Sequence, residues 1–432
     1  MARKPTPRPA HASETITAGE AAELLGVKRA SLYSYVSRGV VRSVMQPGTR
    51  ARRYVREDIE GAMKRIGGRA GIPETFETAV RWGHPILATS ITEVSDAGPL
   101  YRGRSAIDLA RSGRSFESVA ELLWSGLDLP SLGAWDAVAP SDGVLERVAA
   151  MAGSARALTS LRLMGLVNTV VGLAAPDKPD FERGSTVTDA RQLVSLYATA
   201  AGLIGGGPQR PRRATMPTIA TLLAQGLLAP GAKNLPAVAA AINAALIVCA
   251  DHELSPSTFA ARVAASTGSE LRACLDAALA THSGSRLGGG CDRAEELLTA
   301  VRTVDQLRAS IRSTEEAGRR LPGFNLVAYP KGDPRARYLL TLAAGFRGQT
   351  AAFKRLDALL REAESAFDLV PSIEVGLVGL AIALGLTRRS ASAIWAIGRS
   401  AGWVAHVIEQ RLAGFMLRPR AKYVSLAPIG HG

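Results

Sequence analysis

The sequence predicts a mainly α-helical fold that follows a small basic module at the N-terminus. Hydrophobic residues make up 47% and charged residues 21% of the 432 residues, which is an ordinary globular composition. Ala, Leu, Arg and Gly dominate, and good helix formers outnumber β-branched runs along most of the chain. Positive charge is concentrated at the start, where residues 1–70 hold 14 Lys and Arg against 6 Asp and Glu.

The same composition excludes several other classes of protein. The three cysteines, Cys249, Cys274 and Cys291, form no CxxC pair and no His-Cys cluster, so we expect a reducing compartment and no metal site. The longest apolar stretch, 375–386, is shorter than the roughly 20 residues that cross a bilayer. Residues 1–12 read as a flexible basic tail without the apolar region of a secretory signal. We therefore expect a cytoplasmic protein with no membrane partner.

Residues 13–66 carry the pattern of a helix-turn-helix. Thr17 and Glu20 form a capping box that begins the first helix, and Gly26 ends it. Apolar residues at helical spacing then predict a second helix that Gly39 stops. Two short helices joined by a glycine-containing turn allow the second helix to enter a major groove of DNA.

A hairpin wing follows these helices. Strands are predicted at 40–44 and 52–55, and a third helix at 58–65 closes the unit. The string TAGEAAELLGV at 17–27, together with the wing, resembles the winged helix-turn-helix of MerR-type regulators and excisionases. The resemblance implies binding to double-stranded DNA, whereas a module that mediates only protein contacts is the alternative. The residues expected to face DNA are Lys28, Arg29, Ser31, Tyr33, Ser34, Arg50, Arg52 and Arg53.

Beyond a linker at 67–84, the spacing of apolar residues predicts a bundle of many helices. Residues 115–127 form one amphipathic helix, which Ser115 caps and which has Glu117 in its first turn. Residues 237–249 are apolar nearly all round, so this helix should lie in the centre of the core.

Several segments of this region resemble the citrate synthase family. They occur in the family's order and cover about residues 85–425. Two of them are ADHELSPSTFAAR at 250–262 and IGRSAGWVAHVIEQ at 397–410. The others are 100–110 with 115–123, 329–336 and 417–421.

The resemblance implies a citrate-synthase-type two-domain helical fold that forms a homodimer. Its large domain would comprise 85–289 and 386–432, and its small domain 290–385. The two would close over oxaloacetate and an acyl-CoA, with no tightly bound cofactor. The enzymes of this family condense the acyl-CoA α-carbon with the ketone of oxaloacetate and then hydrolyse the thioester.

A dicarboxylate pocket is expected because guanidinium groups pair bidentately with carboxylates. The resemblance places this pocket at His252, Arg335, Arg399 and Arg418, the last reaching the partner subunit's site. It also places Lys331 near the CoA phosphates.

The catalytic positions depart from the family. Its two histidines fall on Gly288 and Leu326, which carry no hydrogen-bond donor in their side chains, and its aspartate falls on Glu374. Each missing donor typically costs about 10²–10³ in rate. We therefore predict a dicarboxylate-binding protein with a ligand-sensing or DNA-linked regulatory role. His282, six residues before Gly288, would replace the first histidine only through a shifted loop.

Two alternatives remain from the sequence. The first is an acyl-CoA:oxaloacetate C-acyltransferase of the citrate or 2-methylcitrate synthase type with a remodelled site. The second is a partner subunit of an active paralogue. The second alternative needs only Arg418 to cross the interface.

Overall fold

The chain folds as two units, residues 1–88 and 89–432, which are described separately. The computed structural model describes the residues 15–24, 41–45, 52–56, 58–59, 87–135, 143–153, 158–205, 217–229, 234–346 and 350–419.

The first unit contains a three-stranded antiparallel sheet. Strand β1 (Thr15–Thr17) leads into helix α1 (Ala18–Leu24), and β2 (Ser43–Met45) and β3 (Arg52–Val55) form a hairpin, in the order β1-β3-β2. The predicted strand at 52–55 is present as β3. The strand predicted at 40–44 is described only from residue 41, and there β2 begins at Ser43 and ends at Met45. The Arg42 backbone N–H and Nε both donate to Asp58 Oδ2 at 2.8 Å.

The predicted capping box is present at the start of α1. The Thr17 backbone N–H donates to Glu20 Oε2 at 2.8 Å, and the Glu20 N–H donates to Thr17 Oγ1 at 3.3 Å. Arg53 donates to the Thr15 carbonyl oxygen at 2.7 Å, so its guanidinium joins β3 to β1, while Arg52 is exposed. The predicted second helix, tail and linker lie outside the described part of the chain. So do the remaining residues proposed to face DNA, which are Lys28, Arg29, Ser31, Tyr33, Ser34 and Arg50.

The second unit begins with a small antiparallel sheet, in the order β4-β5-β6, and continues as helices. The strands are β4 (Thr92–Ser95), β5 (Gly98–Tyr101) and β6 (Arg104–Ser105). The helices are α2 (Ala106–Arg111), α3 (Phe116–Ser125), α4 (Val144–Gly153), α5 (Ser160–Gly172), α6 (Asp180–Arg183), α7 (Thr186–Ala200), α8 (Ile219–Leu227), α9 (Leu235–Cys249), α10 (Pro256–Ser266), α11 (Leu271–His282), α12 (Gly289–Ala300), α13 (Val304–Glu316), α14 (Pro334–Gly345), α15 (Ala351–Phe367), α16 (Ile373–Leu384) and α17 (Ser390–Ala413).

Helix α3 confirms that 115–127 contains a helix, but its residues 116–124 are buried all round and not along one face only. Ser115 caps it by accepting from the Ser118 N–H, and Gly126 ends it in the left-handed conformation at φ 76°. No helix in the described part of the chain is long and apolar enough to cross a membrane.

Helices α9 and α17 form the centre of the core. The second half of α9 is buried, as predicted for 237–249, whereas its first turns are partly exposed. Gly398 and Gly402 let α17 approach α9 and the turn after it. A β-carbon on Gly398 would lie 2.8 Å from the Leu246 carbonyl oxygen, and one on Gly402 would overlap the Asp251 carboxylate. This close packing places the end of α9 beside the middle of α17.

Candidate active site

Three of the predicted pocket residues come together where α9, α14 and α17 meet. His252 Nε2 lies 3.0 Å from the Tyr329 hydroxyl, and the guanidinium of Arg335 lies 5.6 Å from the centre of the Tyr329 ring. Arg399 reaches the same turn, since its Nε donates to the Cys249 carbonyl oxygen at 2.9 Å. Burial lowers the pKa of His252 well below its ordinary value, and the charges of Arg335 and Arg399 lower it further.

Arg335 is anchored on one side and has a free donor on the other. Its Nη2 donates to Asp333 Oδ2 at 2.7 Å, and its Nε donates to Oδ1 at 3.0 Å. The Arg335 side chain is 2% exposed and that of Asp333 is 0% exposed. Among the described residues Nη1 of Arg335 has no hydrogen-bond partner. A buried unpaired donor is costly, so this atom indicates that the pocket is built for an acceptor.

The other two predicted contacts lie on the surface. Arg418 is exposed in the segment after α17, and Lys331 is exposed in the turn before α14. The Lys331 carbonyl oxygen accepts from Arg337 Nη2 at 2.7 Å. The assignments of Arg418 to a partner's pocket and of Lys331 to CoA stay predictions.

Glu374 lies in the first turn of α16, with its carboxylate toward Gly290 in the first turn of α12. Its Oε1 would be 3.9 Å from a β-carbon on Gly290, and its buried Oε2 has no hydrogen-bond partner in the described part of the chain. Burial raises the pKa of Glu374, and the hydroxyl of Ser372 offsets only part of that rise. A partly desolvated carboxylate of raised pKa is a stronger base than an exposed one.

The position of His282 differs from the sequence expectation. A β-carbon on Gly288 would overlap Cδ2 and Nε2 of His282, so the imidazole fills the space that a side chain at position 288 would enter. After α11 the chain reverses through a turn in which the Leu287 N–H donates to the Gly284 carbonyl oxygen at 2.9 Å, and whether His282 replaces the family's first histidine stays a prediction. Position 288 itself has no side chain, but an imidazole lies beside it.

The His282 ring is enclosed by aromatic side chains. It is 1% exposed, and its centre lies 4.9 Å from that of Trp395 and 5.4 Å from that of Trp403, with edge-to-face geometry. Burial lowers the pKa of His282 to about 3, and the charge of Arg399 acts in the same direction. The imidazole is therefore neutral at physiological pH.

At the second family position the structure offers no donor side chain. Leu326 is partly buried and apolar. Its neighbour Asn325 has φ 54°, donates its backbone N–H to the Val370 carbonyl oxygen at 2.9 Å and accepts from the Val370 N–H at 2.8 Å. These two hydrogen bonds of Asn325 hold this turn against the segment before α16.

A buried polar network that the sequence did not reveal supports the pocket from behind. His406 Nε2 lies 3.3 Å from Asp251 Oδ2, and its Nδ1 lies 3.1 Å from Arg262 Nη1. Arg262 in turn pairs with Glu409 at 2.5 Å. Burial raises the pKa of Asp251, but His406 and other neighbours lower it by more, so this carboxyl is ionised. The network fixes the turn that carries His252.

Because the His282 ring occupies the space beside position 288, the effects of substitutions at these two positions on stability should depend on each other. We expect Gly288→Ala to lower the free energy of unfolding by about 1–3 kcal/mol, because the added methyl group overpacks the imidazole. In a His282→Ala background the same change should cost less than about 0.5 kcal/mol, since the space is then empty. Urea unfolding of the four proteins, followed by circular dichroism, measures both costs. Equal costs in the two backgrounds would contradict this placement of the ring.

Comparisons with known proteins show which family has this architecture. Residues 80–420 match the family described as citrate synthase, C-terminal domain. Citrate synthase 2 of Bacillus subtilis is 28% identical over 377 residues, which are 80% of this chain and 96% of that protein. A 2-methylcitrate synthase of Mycobacterium tuberculosis is 27% identical over 340 residues, which are 75% of this chain and 84% of that protein.

Solved structures show the same fold. The citrate synthase of Thermoplasma acidophilum, in a ternary complex with carboxymethyl coenzyme A and oxaloacetate, matches with a TM-score of 0.66 at 21% identity. That match covers 81% of this chain and 96% of the archaeal one. Because the family match at 80–420 spans most of the sequence and contains the whole pocket, this chain belongs to the citrate synthase family.

Proposed function

We propose that the chain binds an oxaloacetate-like dicarboxylate between His252, Arg335 and Arg399. The observation that carries this proposal is Nη1 of Arg335, a charged donor that is buried and has no partner in the described structure. The nearby Arg399 is 3% exposed and supplies a second positive charge, and the neutral His252 adds a polar ring. Two guanidinium groups suit two carboxylates.

Binding is proposed to serve ligand sensing linked to DNA. The basic N-terminal unit supplies the charge for phosphate contacts, and a homodimer would present two such units at a spacing set by the ligand-bound geometry. The ligand can change this geometry only to the extent that it binds one conformation of the dimer more tightly than the other. Gly288 and Leu326 support this role, because neither carries the side-chain donor that the family's condensation uses there.

The second candidate function is acyl-CoA:oxaloacetate C-acyl transfer. The observation that favours it is a buried carboxylate and a neutral imidazole at the start of α12, where His282 lies against Gly288 and Glu374 lies near Gly290. Glu374 would take a proton from the thioester α-carbon. The resulting enolate would form a C–C bond with the ketone carbon as the C=O π bond breaks and the ketone oxygen takes up a proton. Water would then cleave the C–S bond and release CoA.

Titration calorimetry tests the first proposal. We expect oxaloacetate to bind with a one-to-one ratio per chain, and pyruvate, which lacks the second carboxylate, to bind at least tenfold more weakly. Equal affinities for the two acids, or no heat with oxaloacetate, would contradict a dicarboxylate pocket. Release of CoA from acetyl-CoA and propionyl-CoA in the presence of oxaloacetate then separates the two functions.

Mobility-shift assays test the link to DNA. Affinity for duplex DNA should fall steeply with salt and with the double replacement Arg50→Ala and Arg52→Ala, because phosphate contacts release counterions. Saturating oxaloacetate should change the affinity of the intact chain by about fivefold or more, the usual lower range of allosteric coupling. Absence of binding at low salt would remove the regulatory role and leave the pocket unaffected.

A further inference from the structure

A continuous series of polar side chains links the pocket to the start of the second unit. Asp251 directly precedes His252, and its Oδ2 lies 3.3 Å from His406 Nε2. His406 Nδ1 lies 3.1 Å from Arg262 Nη1, which also donates to Glu409 Oε2 at 2.5 Å. The four side chains that follow one another in this way, from Asp251 to Glu409, form one connected network.

The far end of this network is Ser90, the second residue of the second unit. The other carboxylate oxygen of Glu409, Oε1, accepts from the Ser90 N–H at 2.8 Å and from the Ser90 hydroxyl at 3.1 Å. Arg102 holds the same residue from another side, since its Nη1 donates to Ser90 Oγ at 2.7 Å. The chain comes from the basic first unit at this point, because the boundary between the units falls after residue 88. The segment that carries the first unit is therefore tied to a network that begins beside His252.

The middle of the network is buried, and its hydrogen bonds have a fixed direction. Arg262 is 2% exposed, and Asp251 and His406 are 0% exposed. A guanidinium group carries only donors, so Nδ1 of His406 is the acceptor from Arg262. The ring proton then lies on Nε2, where it faces the Asp251 carboxylate. Because a buried polar group that loses its partner is costly, displacement of one member displaces the next.

We propose that this network passes occupancy of the dicarboxylate pocket to Ser90. This role rests on the pocket proposed above and supplies a route for the sensing assigned to it. A dicarboxylate that contacts His252 restricts the turn after α9, and the Asp251 carboxylate is tied to that turn by the Glu253 N–H at 3.1 Å. The buried side chains carry the restriction to Glu409. Ligand binding then reduces local opening at Ser90, a change in mobility that needs no change in the path of the backbone.

Hydrogen exchange of the intact chain, resolved from overlapping peptides by mass spectrometry, measures this coupling. With saturating oxaloacetate the Ser90 amide should exchange more slowly than in the free chain, by about threefold or more. Glu409→Gln should abolish that difference, because its amide oxygen can still accept from Ser90 but its NH₂ group then faces the donor of Arg262. Glu121→Gln is the matched control, since Glu121 forms a partly buried ion pair with Arg191 at 2.8 Å outside the network. This control should keep the full effect of the ligand.

A second break, in the middle of the network, distinguishes the route from a local effect of Glu409. His406→Leu removes both ring nitrogens and should also abolish the effect at Ser90, whereas His406→Gln, which keeps a donor and an acceptor, should retain part of it. Thermal unfolding and calorimetry show that each variant folds and binds oxaloacetate. A wild-type chain that binds oxaloacetate without slower exchange at Ser90 overturns the coupling, and so does a folded, ligand-binding Glu409→Gln chain that keeps the effect. Absence of oxaloacetate binding to the wild type would instead overturn the dicarboxylate pocket.

Discussion

Replacing Arg335 by methionine is expected to lower the free energy of unfolding by about 3–5 kcal/mol. The change leaves the carboxylate of Asp333 buried without its counter-charge, and removing one partner of a buried ion pair typically costs this much. Arg337→Met is the matched control on the same helix, because the Arg337 side chain is 62% exposed and its loss should cost less than about 0.5 kcal/mol. Denaturant unfolding measures both.

The ion pair and the ligand contact can be separated with a second variant. Asp333→Asn removes the buried charge and keeps an oxygen to cap α14, so combining it with Arg335→Met should recover more than half of the lost stability. This folded double variant should still bind oxaloacetate about 100-fold more weakly than wild type, since one charged donor to the ligand is gone. Unchanged affinity, measured by calorimetry, would show that Arg335 serves the fold alone.

Local features of the fold were predictable because they depend on residues close together in sequence. The capping box of Thr17 and Glu20 and the cap at Ser115 both involve partners three residues apart. The small sheet at 92–105 was not predicted, since its strands span two to four residues and give too little alternation to detect. The pair of His406 and Asp251 was equally invisible, because its members are 155 residues apart.

The site residues that lie within recognised sequence motifs could be predicted. His252, Arg335 and Arg399 were placed by resemblance, and the structure brings them to one turn. The position of His282 against Gly288 depends on how the intervening residues fold back, which backbone hydrogen bonds of the turn decide. Neither the residue types nor their spacing in the sequence predicts how these residues fold back. The sequence signal that was available is a polar residue at the end of a helix, followed within six residues by glycines.

In the acyl transfer proposed for this site, Glu374→Gln is expected to lower kcat by about 10²–10⁴, because the amide cannot take the α-proton. The affinity for oxaloacetate should stay within threefold of wild type, since binding is assigned to other side chains. Glu374→Asp is the sharper variant: it keeps the carboxylate but withdraws it by one methylene. A displacement of about 1 Å can cost roughly 10²-fold, so this variant should also be slow.

The pH dependence gives an independent check on Glu374. The carboxyl must be ionised to act as a base, and its pKa is raised above the ordinary 4.5 by burial. The rate should therefore fall as the pH is lowered, with the midpoint of that fall above pH 4.5. Because Gln cannot titrate, the residual rate of Glu374→Gln should lack this midpoint. A wild-type profile that stays flat down to pH 4.5, or a Glu374→Gln variant with the wild-type rate, would exclude Glu374 as the base.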